Sequence, residues 1–224
     1  MAGFTAGSAV GANRSAGQAM LNTQIAAGIA SLTWLFIDWA WKGRPSVLGV
    51  GCGAVAGLVC ITPGCGFVDT TGAFFIGLTG APVAFFGAQL KHWVGLDDAL
   101  DAFGIHAICG IWGGLMVAFF ATHEVASNYG LNIDGIFYDN SRLGALQLLL
   151  QVYGIFISAG WSCILSLIIL KFVDTTMGLR VTDREEFEGL DSSMHGENMR
   201  SRRNSGEVAE MAVVVNVADT CEIR

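Results

Sequence analysis

The chain has 224 residues, of which 53% are hydrophobic and only 14% are charged, whereas about 25% of the residues of an ordinary soluble domain are charged. The formal net charge is −7, and most of the acidic residues lie from Asp174 onward. This balance excludes a basic surface of the kind that binds nucleic acid, and it leaves too few charged side chains before Asp174 to cover a soluble domain.

The chain begins with a segment of small residues that precedes the first long apolar stretch. Residues 3–13 read GFTAGSAVGAN, and the glycines in this segment disfavour an isolated helix. The segment nevertheless carries one large ring, Phe4, and one hydroxyl group, Ser8, which are a helical turn apart in sequence. Phe4 is therefore either an ordinary packing side chain or, together with Ser8, part of a binding site.

Five apolar stretches follow this segment. A bilayer core about 30 Å thick requires roughly 20 helical residues. The first, third and fourth stretches meet this requirement, the second is short, and the fifth would be about 46 Å long as a helix and would tilt or project. Because five such stretches leave no polar face toward water, the sequence predicts an all-α, multi-pass membrane protein, with a transmembrane domain over residues 1–173 and a polar tail over residues 174–224. The stretches are residues 16–37, 47–61, 72–90, 99–121 and 143–173.

The basic residues are distributed unevenly between the connecting segments. The segments after the first, third and fifth stretches hold most of them, and basic connections are typical of the cytoplasmic side. We therefore expect the carboxyl-terminal tail in the cytoplasm, the amino end of the chain outside, and the membrane to be the plasma membrane. These basic residues are Lys42, Arg44, Lys91, Lys171, Arg180 and Arg184, whereas the other two segments contain only Arg142.

Glycines recur at four-residue intervals in two of the stretches. Gly49, Gly53 and Gly57 lie in the second stretch, and Gly110 and Gly114 lie in the fourth. Small-residue faces let helices approach each other closely in lipid, where no hydrophobic force drives their association. Both sets are therefore predicted to be helix-packing faces.

The fourth stretch combines three aspartates with a histidine in the sequence DDALDAFGIHAICGIWGGL, which begins at residue 97. Carboxylates favour the amino-terminal end of a helix, so Asp97 is predicted to be a cap and Asp101 either a cap or a functional group. Asp98, Ala102 and His106 have the spacing i, i+4, i+8 and would share one helix face. A histidine inside an apolar span is costly unless it faces a cavity or a partner. His106 is therefore either a functional residue or a core histidine hydrogen-bonded to neighbouring backbone.

The residues that carry chemistry do not indicate an enzyme. The six cysteines include no CxxC pair and no Cys/His spacing typical of a metal site, and those in the apolar stretches are typical small packing residues. No nucleophile–base pair is recognisable either. We therefore expect no enzymatic activity, no cofactor and no metal.

Four ordered motifs resemble the second half of an Amt/Mep ammonium transporter. They read GFTAGSAVGAN, GRPSVLGVGCGAVAGLVCITPGCGFV, DDALDAFGIHAICGIWGG and GLRVTDREEFEGLDSSMHGE, and the resemblance covers residues 3–197. It implies a fold of eleven transmembrane helices built from two inverted five-helix repeats, assembled as a homotrimer with one pore per subunit. The five apolar stretches would then be helices seven to eleven.

The resemblance also implies roles for four residues. Phe4 matches a ring that, with a second phenylalanine, gates the pore below the external vestibule, and Ser8 matches a hydroxyl that accepts a hydrogen bond from ammonium. His106 matches the second member of a histidine pair lining the pore, and Asp98 matches an acidic position near its cytoplasmic side. Such roles fit a cation that loses water, because its attraction to an aromatic face reaches about 2 kcal/mol when it is desolvated.

Two residues depart from the family pattern, and the features of the first repeat are not in this sequence. Thr5 stands where Asn is usual, and Ala107 follows the histidine where Gly is common. Neither change removes a role, although Ala107 is expected to shift the imidazole slightly. The first gate phenylalanine, the vestibule tryptophan and the first histidine would lie on further helices, about five by the inverted-repeat pattern, encoded upstream of Met1.

The polar tail contains two candidate regulatory positions. Ser193 matches a phosphorylatable threonine of plant members of the family, in a segment that contacts the neighbouring subunit and can couple the pores. Ser205 ends the sequence RRNS, a basic kinase pattern that is also common by chance, and residues 211–218 are too few to span a bilayer. We therefore expect a cytoplasmic regulator or kinase to act on the tail.

The composition and the resemblance together predict ammonium/ammonia transport across the lipid bilayer. Ammonium would be recruited at Phe4 and Ser8, would lose its proton near the gate, and would pass His106 as ammonia. A rival interpretation is an ammonium sensor or receptor that uses the same fold and signals through the tail. A third is a non-functional truncated remnant.

Overall fold

The computed structural model describes residues 1–95, 97–138 and 142–196. Within these ranges the chain is helical, with one isolated antiparallel bridge between Val68 and Ala121, so the all-α prediction is confirmed. A π-helical segment, Phe103–Ile108, runs directly into α5, and a 3-10 turn, Ser127–Tyr129, follows α6. The α-helices are α1 Ala2–Gly7, α2 Arg14–Lys42, α3 Val47–Ile61, α4 Thr70–Val94, α5 Cys109–Phe120, α6 His123–Ala126, α7 Arg142–Thr176, α8 Asp183–Glu188 and α9 Leu190–Ser193.

The five predicted apolar stretches all form helices. Four of them are long and apolar enough to cross a membrane: α2, α4, the continuous helix Phe103–Phe120, and α7. The second stretch forms α3, which has only 15 residues, as its short apolar run predicts. The fifth forms α7, whose 35 residues correspond to a length of about 52 Å at the usual helical rise.

Short polar side chains and left-handed glycines set the helix boundaries. Each of three helices begins after a residue whose side chain accepts a hydrogen bond from a backbone amide of the first turn, which satisfies a donor that has no partner within the helix. These caps are Asn13 for α2, Ser46 for α3 and Asp69 for α4. α2 and α4 end at Gly43 and Gly95, whose φ angles of +72° and +71° suit glycine.

The glycine stripe of α3 packs against α2 as predicted. A Cβ atom on Gly53 would lie 2.6 Å from the Trp34 Cβ and 2.8 Å from the Ala30 carbonyl oxygen, so only glycine permits this approach. Gly49 and Gly57 are crowded by α2 in the same way. The backbones of α2 and α3 are therefore in close contact, which is the kind of packing that small residues allow in lipid.

The prediction for the second glycine pair is only partly correct. No atom of the described chain lies within 4 Å of the position that a Cβ on Gly110 would take, and the nearest neighbour at Gly114 is the Ile155 side chain at 3.3 Å. Gly110 therefore borders open space instead of a packed helix.

The fourth stretch becomes helical later than the sequence analysis predicts. The helix begins at Phe103 instead of residue 99, because Asp101 has a φ of +56°, which no right-handed helix contains. Asp98 consequently lies before the helix, and the predicted face shared by Asp98, Ala102 and His106 does not form. Asp101 is not a cap either, since its carboxylate pairs with the Lys91 ammonium at 2.6 Å.

The described chain forms two compact units, Met1–Ser162 and a second that begins at Cys163. The core of the first unit is built mainly by small side chains of α2, α3 and α4, with Ile61, Ile76 and Phe85 as its larger members. Every pore residue predicted from the sequence belongs to this unit, and Ser193 belongs to the second. The most apolar part of α7 contains no buried residue, as is typical of a surface that lipid covers.

Candidate functional site

Phe4 and Ser8 line one cleft of about 160 Å³ at the amino end of the chain. The short helix α1 places them one turn apart on the same side, as their spacing predicts. Phe4 is 65% exposed, so it is not a packed core side chain in this unit. The other walls of the cleft come from the loop after α3 and from the 3-10 turn, and its lining is completed by Thr5, Thr62, Pro63, Cys65, Gly66, Phe67 and Tyr129.

The hydroxyl of Ser8 is arranged to accept a hydrogen bond. Its proton is directed to the Phe4 carbonyl oxygen at 3.0 Å, within α1. A serine oxygen has two lone pairs besides its one donor, so with the proton used internally the oxygen presents acceptor capacity to the cleft. A cation with N–H donors is the kind of ligand that such an oxygen suits.

Thr5 attaches α1 to α2. Its side chain is buried, and its hydroxyl oxygen lies 2.9 Å from that of Thr23. Each hydroxyl also reaches a backbone carbonyl of its own helix, Thr23 that of Ala19 at 2.6 Å and Thr5 those of Met1 and Ala2 at 3.2 Å, so either hydroxyl can donate the shared bond. The residue that departs from the family pattern thus keeps a hydrogen-bonding role, because it fixes the helix that carries Phe4 and Ser8.

Asn22 holds the opposite wall of the cleft, and the sequence analysis did not identify it. Its fully buried amide donates to the Cys65 and Val68 carbonyl oxygens at 2.9 and 2.8 Å, which ties the loop after α3 to α2. A polar amide inside an apolar span was the available signal, since a buried amide requires partners. Phe67 and Tyr129 were also missed, because no local pattern places their loops beside α1.

His106 borders a second cavity, a groove of about 680 Å³. Its imidazole is exposed to this groove and makes no hydrogen bond to any residue in the described part of the chain, so His106 is not a core histidine held by neighbouring backbone. One wall is the helix from Ala102 to Gly114, and the other is α7. From α7 the groove receives polar side chains among small ones, namely Gln151, Ser158 and Ser162 beside Gly154, Ile155 and Ala159.

His106 lies within the π-helical segment Phe103–Ile108. Single π-helical turns inside α-helices occur frequently at functional sites. The segment places Ala102, His106 and Gly110 along the same groove, whereas Ile105 is buried in the core. The sequence analysis could not detect this, because the apolar pattern is compatible with an uninterrupted α-helix.

Pro63 lines both cavities. It follows Thr62, the C-cap of α3, and is thus part of the wall of the Phe4–Ser8 cleft and of the wall of the His106 groove. The two predicted pore features therefore lie on either side of one residue.

Asp98 does not line the groove but caps the helix that carries His106. Its two carboxylate oxygens accept hydrogen bonds from the Ala102 and Phe103 amides at 2.9 and 2.8 Å. Its backbone carbonyl accepts a further bond from the Lys91 ammonium at 2.6 Å. The amide of Phe103, followed by that of Ala102, holds the pKa of Asp98 below its ordinary value.

Ser193 is the last residue of α9 in the second unit. Its hydroxyl donates to the Gly189 carbonyl at 3.0 Å and reaches the Glu185 carbonyl at 3.4 Å. The preceding helix α8 starts with a reciprocal capping box between Thr182 and Glu185, whose hydrogen bonds lower the pKa of Glu185. Ser205 and the segment 211–218 lie outside the described residues.

Comparison with known proteins identifies related sequences and structures. The chain matches the sequence profile of the Ammonium Transporter Family over residues 2–200. It is 45% identical over 196 residues to an ammonium transporter of Aquifex aeolicus, a match that covers 87% of this chain and 44% of that protein. Candida albicans Mep2 superposes with a TM-score of 0.74 at 33% identity, covering 82% of this chain and 40% of that chain. A structure described as a sensor Amt protein gives a TM-score of 0.71 at 29% identity, covering 86% and 45%.

The chain spans about half the length of the curated relatives that it matches, 44% of the Aquifex aeolicus protein and 47% of an ammonium transporter of Bacillus subtilis. The profile match includes α1 to α9, with both cavities and all five apolar helices. It therefore confirms the resemblance of the four motifs, and with it an all-α membrane transporter fold in place of an enzyme: the chain belongs to the Ammonium Transporter Family.

Proposed function

We propose that the complete protein transports ammonium or ammonia across the lipid bilayer, and that this chain supplies the second half of its pore. The observation that carries the proposal is the position of Pro63, which borders both the Phe4–Ser8 cleft and the His106 groove. A recruitment site with an acceptor oxygen and an aromatic ring is thus adjacent to a small-residue groove that contains an imidazole.

In this proposal the residues act in sequence. The Ser8 oxygen accepts a hydrogen bond from ammonium while the ring of Phe4 faces the cation. The ion releases its proton to water on the open side of the cleft, and ammonia enters the mainly apolar groove, which would not hold a charge without compensation. A neutral imidazole at His106 offers one donor and one acceptor to ammonia or water. Asp98 contributes at a distance, because it fixes the first turn of the helix that carries His106.

The proposal extends to the assembly and the regulation of the complete protein. We propose a homotrimer in the plasma membrane with the carboxyl-terminal tail in the cytoplasm, since the basic connections flank the same side of the predicted spans. A kinase or another cytoplasmic regulator would act at Ser193. The bonds of the Ser193 hydroxyl to backbone carbonyls support this role, because a phosphate could not make them.

An ammonium sensor is the second candidate function. It is favoured by the similarity to the structure described as a sensor Amt protein, at a TM-score of 0.71 over 86% of this chain. In a sensor the Phe4–Ser8 cleft would bind ammonium and the tail would transmit the signal. The two functions then differ in one respect: a transporter moves ammonium or ammonia across the bilayer, whereas a sensor binds ammonium without net transport.

Growth and uptake experiments separate these functions. The full-length gene is expressed in a strain that lacks its own ammonium carriers, and growth on low ammonium is measured together with ammonium-dependent current. Transport by the wild-type protein that is impaired in a His106→Ala variant of normal membrane abundance is the expected result. Ammonium binding and a signalling output without uptake would favour the sensor, and neither binding nor uptake would indicate a remnant.

A further inference from the structure

The Phe4–Ser8 cleft contains two aromatic rings, Phe67 and Tyr129, to which the family resemblance assigns no role. Tyr129 is the last residue of the 3-10 turn after α6, and Phe67 belongs to the loop after α3. Their ring centroids are 5.3 Å apart, with 42° between the ring planes. Both rings line the same cleft as Phe4 and Ser8. The cleft is thus aromatic on two sides and carries hydroxyl groups from two parts of the chain.

The Tyr129 hydroxyl occupies the space that a side chain at position 66 would fill. A Cβ atom at Gly66 would lie 2.8 Å from the Tyr129 oxygen and 3.3 Å from Cε2 and Cζ of the ring. The phenol therefore lies directly against the Gly66 backbone, at the floor of the cleft. The methyl group of an alanine at position 66 would displace the Tyr129 hydroxyl, because 2.8 Å is too short for a contact between a methyl carbon and an oxygen.

The Tyr129 hydroxyl is available to a ligand. It makes no hydrogen bond to the residues that the structure describes, and the side chain is 38% exposed. Tyr138 is different, since its hydroxyl donates to the Asp69 carboxylate at 3.0 Å. A phenol oxygen accepts hydrogen bonds as well as donating them, so Tyr129 presents both an acceptor and a ring to the cleft.

We propose that Tyr129 is a specificity-determining residue, a second cation-binding group that acts beside Ser8. This inference rests on the proposed function, because it takes ammonium as the cation in the cleft. An ammonium ion that leaves water has four N–H donors to satisfy, and Ser8 supplies one acceptor. The Tyr129 oxygen supplies another, and the tyrosine and phenylalanine rings offer faces that attract a cation.

The proposal also predicts discrimination between ammonium and trimethylammonium. Trimethylammonium has a single N–H donor, so it cannot bond to Ser8 and Tyr129 at the same time. A site that is built to hydrogen-bond a donor rejects an analogue that lacks it, because the polar group of the site is then left unpaired. Loss of the Tyr129 oxygen should therefore weaken ammonium recruitment more than the binding of trimethylammonium, measured as its inhibition of ammonium uptake.

The test compares Tyr129→Phe, Gly66→Ala and the double variant in the full-length protein, with Tyr153→Phe as the matched control. Tyr153 is an exposed tyrosine on α7 that lines neither cavity. Tyr129→Phe is expected to raise the ammonium KM about tenfold to a hundredfold, as for loss of one hydrogen bond to a charged group, with the maximal rate unchanged. Gly66→Ala should have a similar effect, and the double variant should be no worse than Tyr129→Phe, because the displaced hydroxyl is already absent.

The outcomes distinguish this inference from the proposed function. If the wild-type protein transports ammonium and Ser8→Ala raises its KM while Tyr129→Phe does not, the inference is wrong and the function stands. An equal rise in KM for Tyr153→Phe, or an unchanged preference for ammonium over trimethylammonium in Tyr129→Phe, would also overturn it. Absence of transport by the wild-type protein at normal membrane abundance would overturn both.

Discussion

The hydroxyl oxygens of Thr5 and Thr23 lie 2.9 Å apart in the interior of the first compact unit. The shared hydrogen bond, which either hydroxyl can donate, joins α1 to α2. α1 has only six residues, and a helix this short is not stable without external contacts. The hydroxyl pair therefore determines where Phe4 and Ser8 are presented.

Replacing Thr5 by Val should consequently disturb the cleft as well as the stability of the protein. Val keeps the shape but removes the hydrogen bond between α1 and α2, at a cost of about 1 kcal/mol in the free energy of unfolding. The ammonium KM should rise because α1 loses its attachment. Thermal denaturation and uptake kinetics measure the two effects. Thr33→Val is the control, since the Thr33 hydroxyl bonds only to the Ile29 carbonyl in its own helix; an equal rise in KM there would contradict the prediction.

Ser8→Ala should weaken ammonium recruitment more than it lowers maximal transport. The change removes one acceptor from a partly desolvated cation, which corresponds to about 1.5–3 kcal/mol for a hydrogen bond to a charged group. The concentration dependence of ammonium current is the measurement, with Ser31→Ala as the control because the Ser31 hydroxyl bonds to its own helix at Ala27. An unchanged half-saturating concentration would remove Ser8 from the recruitment site.

The helices were predictable from the sequence because lipid imposes a simple pattern, whereas their fine structure was not. Apolar runs predict α2, α3, α4, α7 and the continuous helix Phe103–Phe120 within a few residues. The start of the fourth span was misplaced because the left-handed backbone of Asp101 and its ion pair with Lys91 depend on a contact with α4. That contact is invisible to a local pattern.

The same limit applies to the candidate site. The Phe4–Ser8 spacing was readable because both residues belong to one helical turn. The roles of Asn22 and Tyr129 could not be predicted, because they depend on contacts between residues that are far apart in sequence. The hydrogen bond from Asn22 to Cys65, for example, joins residues 43 positions apart. Sequence patterns thus identified groups within one element, and tertiary contacts decided which elements share a cavity.

Asp98→Asn should reduce stability in a pH-dependent manner. The Phe103 and Ala102 amides lower the pKa of Asp98 from its ordinary value of 3.8. A carboxylate with a lowered folded pKa stabilises the fold above the unfolded pKa, and this contribution is lost as the pH falls through the folded pKa. The Tm of the variant should therefore be lower than that of the wild type at pH 7, and the difference should narrow below pH 3.8. The control is Glu124→Gln, which changes an exposed carboxylate of α6; a difference independent of pH, or an equal one for this control, would contradict the assigned cap.

Phosphate or a mimic at Ser193 should reduce transport without dissociating the proposed trimer. A phosphate adds about −1.5 to −2 charges at neutral pH and has no proton to donate to the Gly189 and Glu185 carbonyls. It would also stand at the carboxyl end of α9, near Asp191, where negative charge is unfavourable. Current and oligomeric state are measured for Ser193→Asp, with Ser193→Asn as the uncharged control of equal size. Full activity of Ser193→Asp at normal surface abundance would exclude this regulation.

His106 should control both conduction and selectivity in the groove. His106→Ala removes the donor and the acceptor that a neutral imidazole offers, which leaves an apolar gap and should uncouple ammonia from its proton. His106→Glu keeps a group that exchanges protons but adds negative charge, so it should retain some ammonium transport and admit potassium, because an anionic side chain attracts cations into the groove. His123→Ala, a change of the same size outside the groove, is the control and should behave as the wild type.

Membrane abundance, ammonium current and potassium leak, measured together in the His106 variants, decide between a pore residue and a structural one. A structural histidine would produce variants that misfold or reach the membrane poorly, and those molecules that arrive would keep normal selectivity. A pore histidine would leave abundance near the wild-type level, because the imidazole is exposed to the groove and bonded to no described residue, so its removal creates no cavity in the core. Normal ammonium selectivity in a well-expressed His106→Ala protein would therefore end the assignment of His106 to the pore.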